Sequence, residues 1–290
     1  MDFFSQISLT SQQTERLSRD AFEDLREIIY KNTGLFFPEN KKYLLETRLG
    51  QRISALQLKN YTEYIELLKN GAMHKEFPVL INSITINETY FFRNEPQLEV
   101  LEKELLPAVV SVKLKMNHPK VKIWSAGCSS GEEPYTFAMI IHEKIQPRFP
   151  GIQFEIWGTD INTNVLHKAK QGEFRQYSIR KVPSVYMRKY FSKEGDRYRL
   201  QSPIKEMVIF KHLNLFDKSR MNSMRNFDII FCENVLIYFD KDAKIQVITS
   251  LYDALNRGGY LLLGYSEALY GLSQAFKPVH FPRTIVYKKE

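Results

Sequence analysis

The run WSAGCSSGEEPYTFAMII, from Trp124 to Ile141, sets a thiol, serine hydroxyls and two adjacent carboxylates around Gly127 and Gly131. Three chemistries fit it. Gly127-Cys128-Ser129-Ser130-Gly131 matches the G-x-S-x-G elbow of a hydrolase, with Ser129 as nucleophile and with Asp240 or Asp253 and then His280 following in the required chain order. The same residues resemble a damaged dinucleotide fingerprint. The third chemistry is a loop for a positively charged cofactor. Glu132 and Glu133 discriminate among these, because an oxyanion hole and a pyrophosphate site both gather negative charge at the helix start, where two carboxylates would repel it. A cation removes the conflict. S-adenosylmethionine carries a sulfonium and an ammonium group and no phosphate. The next apolar segment ends in Trp157-Gly158-Thr159-Asp160, where an acid at the carboxyl edge of a sheet can accept hydrogen bonds from ribose hydroxyls. Acids also favour a first helical turn through the dipole alone. The placement of Gly127, Gly131 and Asp160 on consecutive strand ends is what selects the cofactor reading.

The elements that must hold these residues follow from hydrophobic spacing. Phe22, Leu25, Ile28 and Ile29, then Leu45, Leu49, Ile53 and Leu56, then Tyr61, Tyr64, Ile65 and Leu68 recur at helical intervals, with Pro38 suited to a first turn and Gly71 to a stop. This predicts a small helical domain over 1–84. After a further helix from Pro96 to about Val110, short apolar segments at Val121, Phe154, Met207, Phe227, Tyr260 and Thr284 alternate with helices near Pro134–Ile145, Thr163–Lys170 and Asp242–Asn256. Such alternation predicts an α/β fold with a mostly parallel sheet over 85–290. Val182–Pro203 is too long for a plain connection and carries a Lys193-Glu194-Gly195-Asp196 turn, so a small antiparallel β insertion is expected at about 182–206.

With 290 residues, 43% of them hydrophobic, the chain can bury a sizeable core. The sequence has no apolar run long enough to cross a membrane, and its first residues lack the basic start and apolar stretch of a signal peptide, which predicts a cytoplasmic protein. Cys128 and Cys232 read as buried free thiols, and no histidine spacing suggests a metal. The net charge is +8, and from Lys168 to Lys211 twelve Lys and Arg face four acids. That excess suits an acidic partner or a merely solvated surface.

Four motifs in order carry a family resemblance: Asn87-Glu88-Thr89-Tyr90-Phe91-Phe92-Arg93, Trp124 through Tyr135, Gly158-Thr159-Asp160-Ile161, and Phe231-Cys232-Glu233-Asn234-Val235-Leu236-Ile237-Tyr238-Phe239. From about Phe22 to its end the chain resembles the chemotaxis receptor methyltransferases, the CheR family. The resemblance implies a Rossmann-like S-adenosylmethionine-dependent methyltransferase domain, a small N-terminal helical domain for substrate recognition, and methyl transfer to glutamate side chains of chemoreceptors. Carried over, it places Asn87, Thr89 and Arg93 at the cofactor and reaction centre, Glu132 at the methionine part and Asp160 at the ribose. Asn214 and Leu215 flank the adenine, Asn234 lines the pocket, and Tyr238 stands near the transferring methyl. Gly127 belongs to the cofactor turn. Arg93 and Tyr238 are the expected catalytic pair. The family usually has arginine where Glu233 stands; only a backbone contact to the cofactor would survive that change.

A glutamate carboxylate, with a reference pKa of about 4.3, is already ionised at neutral pH, so alignment rather than a general base is the enzyme's task. Nucleic-acid amine methylation is disfavoured, since Glu233-Asn234-Val235-Leu236 lacks the paired prolines of that class. A receptor-binding module without activity is the rival of a different kind. On the second helix, Lys41, Arg48 and Arg52 are spaced at nearly whole turns and form an expected basic stripe for the acidic helices of methyl-accepting chemotaxis receptors. The expected partners include no nucleic acid and no membrane insertion, for an enzyme working as a monomer without dependence on a receptor tail.

Overall fold

The computed structural model of the chain describes residues 16–290; the first residues, whose lack of a leader signature is noted above, lie outside them. Two compact units result, one of residues up to Tyr30 with Phe37–Thr85, the other of Lys31–Phe36 with Ile86–Glu290.

The first unit is helical. It contains most of α1 (Arg19–Thr33), then α2 (Lys42–Ala55), α3 (Tyr61–Leu67) and α4 (Met73–Ile84). Phe22, Leu25 and Ile29 of α1, Leu45, Leu49 and Ile53 of α2, and Tyr64 and Ile65 of α3 are all buried, as their spacing predicts. Asn60 caps α3 by accepting the Glu63 amide at 3.0 Å. At Gly71 the chain turns left-handed (φ +100°), which ends the third helix where the glycine predicts and starts α4, a helix that no signal in the sequence had separated.

The second unit opens with α5 (Glu95–Val100), which runs through a wider turn at Leu101–Leu105 into α6 (Leu106–Lys115). There follow β1 (Lys120–Ala126), α7 (Glu132–Ile140), β2 (Gln153–Asp160), α8 (Thr163–Gln171), β3 (Glu173–Arg175), α9 (Gln176–Ile179) and α10 (Ser184–Tyr190). Next come β4 (Phe191–Glu194), β5 (Arg197–Leu200), α11 (Ser202–Lys205), β6 (Val208–His212) and α12 (Lys218–Met221). The chain closes with β7 (Phe227–Cys232), α13 (Lys241–Ala254), β8 (Leu255–Leu263), β9 (Phe276–Phe281) and β10 (Thr284–Lys289). The main sheet has the order β6-β2-β1-β7-β8-β10-β9, with the first five strands parallel and β10 antiparallel to both neighbours. All six residues of β7 are buried, which explains why FDIIFC reads as a continuous apolar run: a central parallel strand is covered on both faces.

Strand β9 is absent from the sequence reading because FKPVHF alternates and carries Pro278, as an edge strand can. The small antiparallel sheet, β3-β5-β4, also takes Glu173–Arg175, N-terminal to the segment singled out for it. Lys31–Phe36 groups with the sheet because Phe36 N–H donates to the Tyr238 carbonyl at 2.9 Å and Leu35 bridges Phe239.

Candidate active site

Strand order reverses beside β1, with β2 and β6 on one side and β7 on the other, and the crevice at the carboxyl ends of such strands is where an α/β sheet binds ligands. The loop after β1 is tied down there, for the amides of Gly127 and Cys128 both donate to the Thr159 carbonyl at 2.8 Å. Gly127 has φ +84°, and a Cβ on it would stand 2.4 Å from Val235 Cγ2 in the loop after β7. Only glycine fits such a position. Gly131, at φ +93°, opens α7 in the same left-handed region.

Ser129 is left-handed too (φ +49°), and its hydroxyl donates to the Asn87 carbonyl at 3.0 Å. His280 lies on β9 at the far edge of the sheet. The imidazole that the hydrolase reading needs at Ser129 is therefore on the far edge of the sheet, and the dinucleotide reading meets the buried acids beside it. The Ser129 amide instead donates to Asp160 Oδ2 at 2.8 Å, and the Asn162 amide to Oδ1 at 2.8 Å. Asp160 is 8% exposed, and burial lifts its carboxyl to about 6 against the pull of these amides.

Glu132 is buried, and its two oxygens accept the Ser130 and Ser178 hydroxyls at 2.7 and 2.9 Å. Burial raises its carboxyl as well. Beneath it, Glu133 accepts the Ser125 hydroxyl at 2.7 Å and is pushed up to about 7 by burial, with Arg93 pulling down and Glu267 pushing up. A site so rich in buried acid is poised for a cationic ligand, whose charge would return these groups to the ionised form.

Segments far apart in sequence converge here. Arg93 donates through Nη1 to the Glu88 carbonyl and through Nη2 to Asn234 Oδ1, each at 3.1 Å. Asn94 donates to Glu233 Oε1 at 3.2 Å. The Glu233 carboxyl is raised by burial and by Glu133, so the side chain standing where the family usually has arginine is held by an amide and inclined to keep a proton. Asn234 has φ +58°, a sparsely populated conformation for a side chain. Asn87 and half-buried Thr89 precede Arg93, while half-buried Tyr238 follows Asn234 on the same loop. Asn214 and buried Leu215 follow β6; the Leu213 amide donates to the Asp160 carbonyl at 3.0 Å and the Asn214 amide group to the Asn32 carbonyl at 2.7 Å. Both cysteines are buried free thiols.

The sequence reading missed Glu267. Its Oε2 accepts the Asn234 and Gly264 amides at 2.7 and 2.8 Å, and its Oε1 accepts the Ile237 amide at 3.2 Å, so one carboxylate sets the loop that carries Asn234 and Tyr238. Gly264 permits this approach, since a Cβ there would lie 2.6 Å from Glu267 Oε2. Ser178, reaching Glu132 from α9, was missed as well: a helix of four residues is too short to carry a periodic signal.

The expected basic stripe needs correction. In the helical unit, Arg52 pairs in two-pronged fashion with Glu76 (2.8 and 2.6 Å), a carboxylate only 5% exposed that also accepts the Tyr64 hydroxyl at 2.9 Å. Arg48 donates to the Ser83 and Thr85 carbonyls at 3.3 and 2.8 Å, where a helix end attracts a cation. Lys41 alone of the three is exposed. Buried Glu76 and the end of α4 offer the two guanidinium groups partners inside the unit.

The family described as "CheR methyltransferase, SAM binding domain" matches residues 87–285, and "CheR methyltransferase, all-alpha domain" matches residues 20–85. The chain is similar to chemotaxis protein methyltransferase 2 of Vibrio cholerae, 37% identical over 267 residues and 91% of each chain. It is also similar to the chemotaxis protein methyltransferases of Borreliella burgdorferi, at 36% identity over 88% of this chain and 90% of that one, and of Salmonella typhimurium, at 30% over 93% and 92%. No helix among the described residues is long and apolar enough to cross a membrane. With buried acids, a glycine turn and Asp160 meeting at the switch point of its sheet, the chain belongs to the CheR methyltransferase family and is an S-adenosylmethionine-dependent methyltransferase.

Proposed function

We propose that this enzyme methylates glutamate side chains on the acidic cytoplasmic helices of chemoreceptors, producing glutamate methyl esters, and that it acts in the cytoplasm as a monomer. The observation that carries the reading is the Arg93–Asn234 hydrogen bond at the end of β7, which brings the first and last motifs together beside the cofactor crevice. Names of the relatives, chemotaxis protein methyltransferases, point the same way.

The residues fit S-adenosylmethionine. Asp160, which accepts the Ser129 amide on Oδ2 and the Asn162 amide on Oδ1, meets the ribose hydroxyls with its remaining lone pairs. Glu132 meets the methionine part and Asn214-Leu215 the adenine, while Asn87, Thr89, Gly127, Glu233 and Asn234 complete the pocket. Bound there, the cofactor supplies an electrophilic methyl carbon on a sulfonium. Arg93 is oriented by Asn234 and the Glu88 carbonyl, and with the Tyr238 hydroxyl it holds the incoming carboxylate in line. No residue need remove a proton, for the glutamate is ionised already. Alignment of this kind can supply about 7–11 kcal/mol of the barrier lowering. In the helical unit, exposed Lys41 offers charge to the acidic helix, and Arg48 and Arg52 hold α2 to α4 so that this face keeps its shape.

The test is transfer of a radiolabelled methyl group to a receptor cytoplasmic fragment. Label released as methanol by mild base is the expected result; base-stable label would point to nitrogen methylation and overturn the reading.

A further inference from the structure

Of the basic residues between Lys168 and Lys211, Lys189, Arg197 and Arg199 pair with carboxylates of the chain itself. Arg180 does not pair with any carboxylate among the described residues. Its guanidinium carbon lies 3.7 Å from the ring centre of Tyr90 and 3.6 Å from that of Tyr177, and its Nη1 donates to the Tyr177 carbonyl at 2.6 Å. The residue is nevertheless exposed. Two rings and a carbonyl fix a long side chain that would otherwise be free to rotate, and they leave the charge facing solvent.

The clamp is anchored to the active site. The Phe91 amide donates to the Ser178 carbonyl at 2.9 Å, the Tyr177 hydroxyl donates to Glu88, and Ser178 reaches Glu132. Tyr90 also lies 5.7 Å from the guanidinium of Arg93. One ring is thus shared by two arginines, which keeps their charges within a span of about two helical turns, roughly 11 Å. Glu88, held by Tyr177, is the acid beside this clamp, and it has no salt bridge to Arg180.

We propose that Arg180 is a second anchor for the substrate helix, binding an acidic side chain three, four or seven residues from the glutamate that Arg93 receives. Residues at those separations share one face of a helix, so a single approach satisfies both arginines. A cation ordered before binding loses little entropy on capture, which suits it to selecting a partner by charge. This rests on the glutamate reading above and adds to it a requirement on the sequence around the accepting residue.

The experiment measures methyl transfer by wild type, Arg180→Glu and Arg180→Lys to a receptor cytoplasmic fragment and to a version whose flanking acids on that face are changed to lysine. Calorimetry gives S-adenosylmethionine affinity in parallel. For the native fragment, Arg180→Glu should raise KM about fivefold or more, with cofactor affinity intact and Arg180→Lys in between. For the lysine fragment the order should reverse, with Arg180→Glu better than wild type. That reversal cannot come from loss of fold. A KM indifferent to Arg180 while the wild type methylates the fragment overturns this proposal alone. Equal losses of cofactor affinity and KM, without reversal, would make Arg180 a clamp between two segments and nothing more. Absence of transfer by the wild type overturns the glutamate reading and this proposal with it.

Discussion

The pH dependence of cofactor affinity, compared between wild type and Asp160→Asn, isolates the ribose carboxylate. Burial sets the Asp160 carboxyl at about 6. Ribose hydroxyls donate to the ionised form, so each pH unit below about 6 should weaken wild-type affinity about tenfold, one unit being worth about 1.4 kcal/mol. Removing the charge forfeits about 1.5–3 kcal/mol, so Asp160→Asn should bind about ten- to a hundredfold more weakly at pH 8 and lose less than the wild type on acidification. Glu133 titrates in the same window, at about 7, and the difference between the two profiles is therefore the readout. Stability runs the other way. The folded pKa stands above the unfolded value of about 3.9, so this group favours the cofactor-free fold below pH 4 and loses that contribution as pH rises through about 6. The gap is worth about 3 kcal/mol above pH 6. Asp160→Asn relieves up to that amount, less the cost of an amide left without its acceptor, because asparagine has one side-chain oxygen. The variant should melt higher without cofactor and bind cofactor worse. Superimposable affinity profiles, by calorimetric titration from pH 5 to 8, would refute the assignment.

Arg52→Ala should destabilise the helical unit by about 3–5 kcal/mol, because it leaves the Glu76 carboxylate buried with only the Tyr64 hydroxyl; thermal melting checks this, and an unchanged midpoint would return Arg52 to the surface. Burial pushes the Glu76 carboxyl up, but hydrogen bonds from Arg52 and Tyr64 outweigh it and the net shift is downward, so this stabilisation should be present above about pH 4.5 and fade on further acidification. Tyr238→Phe and Arg93→Ala should slow single-turnover transfer more than they weaken cofactor binding; equal losses would move both away from the substrate end. Glu267→Ala should lower kcat at least about tenfold by releasing two amides of the Asn234–Tyr238 loop and that of Gly264 after β8, and Glu267→Gln should recover part of it. Ser129→Ala should leave turnover nearly unchanged, since its hydroxyl only bridges to the Asn87 carbonyl.

Those elements whose residues repeat were legible in the sequence. Leu45, Leu49 and Ile53 fall at one helical face, and the wholly buried β7 shows as an unbroken apolar run. Gly127, Gly131 and Asp160 were legible for another reason, since a glycine turn and an acid at successive strand ends are local signals of a crevice. What escaped depends on distance. Glu267 meets Asn234 across 33 residues and Arg52 meets Glu76 across 24, and no spacing rule joins such partners. Strand β9 was hidden by its proline, and the stacking of Arg180 on Tyr90 joins the first motif to a segment that carries none.

The most direct test locates the transferred methyl group itself. With trideuteromethyl S-adenosylmethionine and a receptor cytoplasmic fragment, tandem mass spectrometry should place the heavy methyl on glutamate side chains, with transfer slowed strongly in Tyr238→Phe and cofactor binding retained. A heavy methyl on lysine, arginine or nucleic acid, or none on any glutamate, would contradict the account.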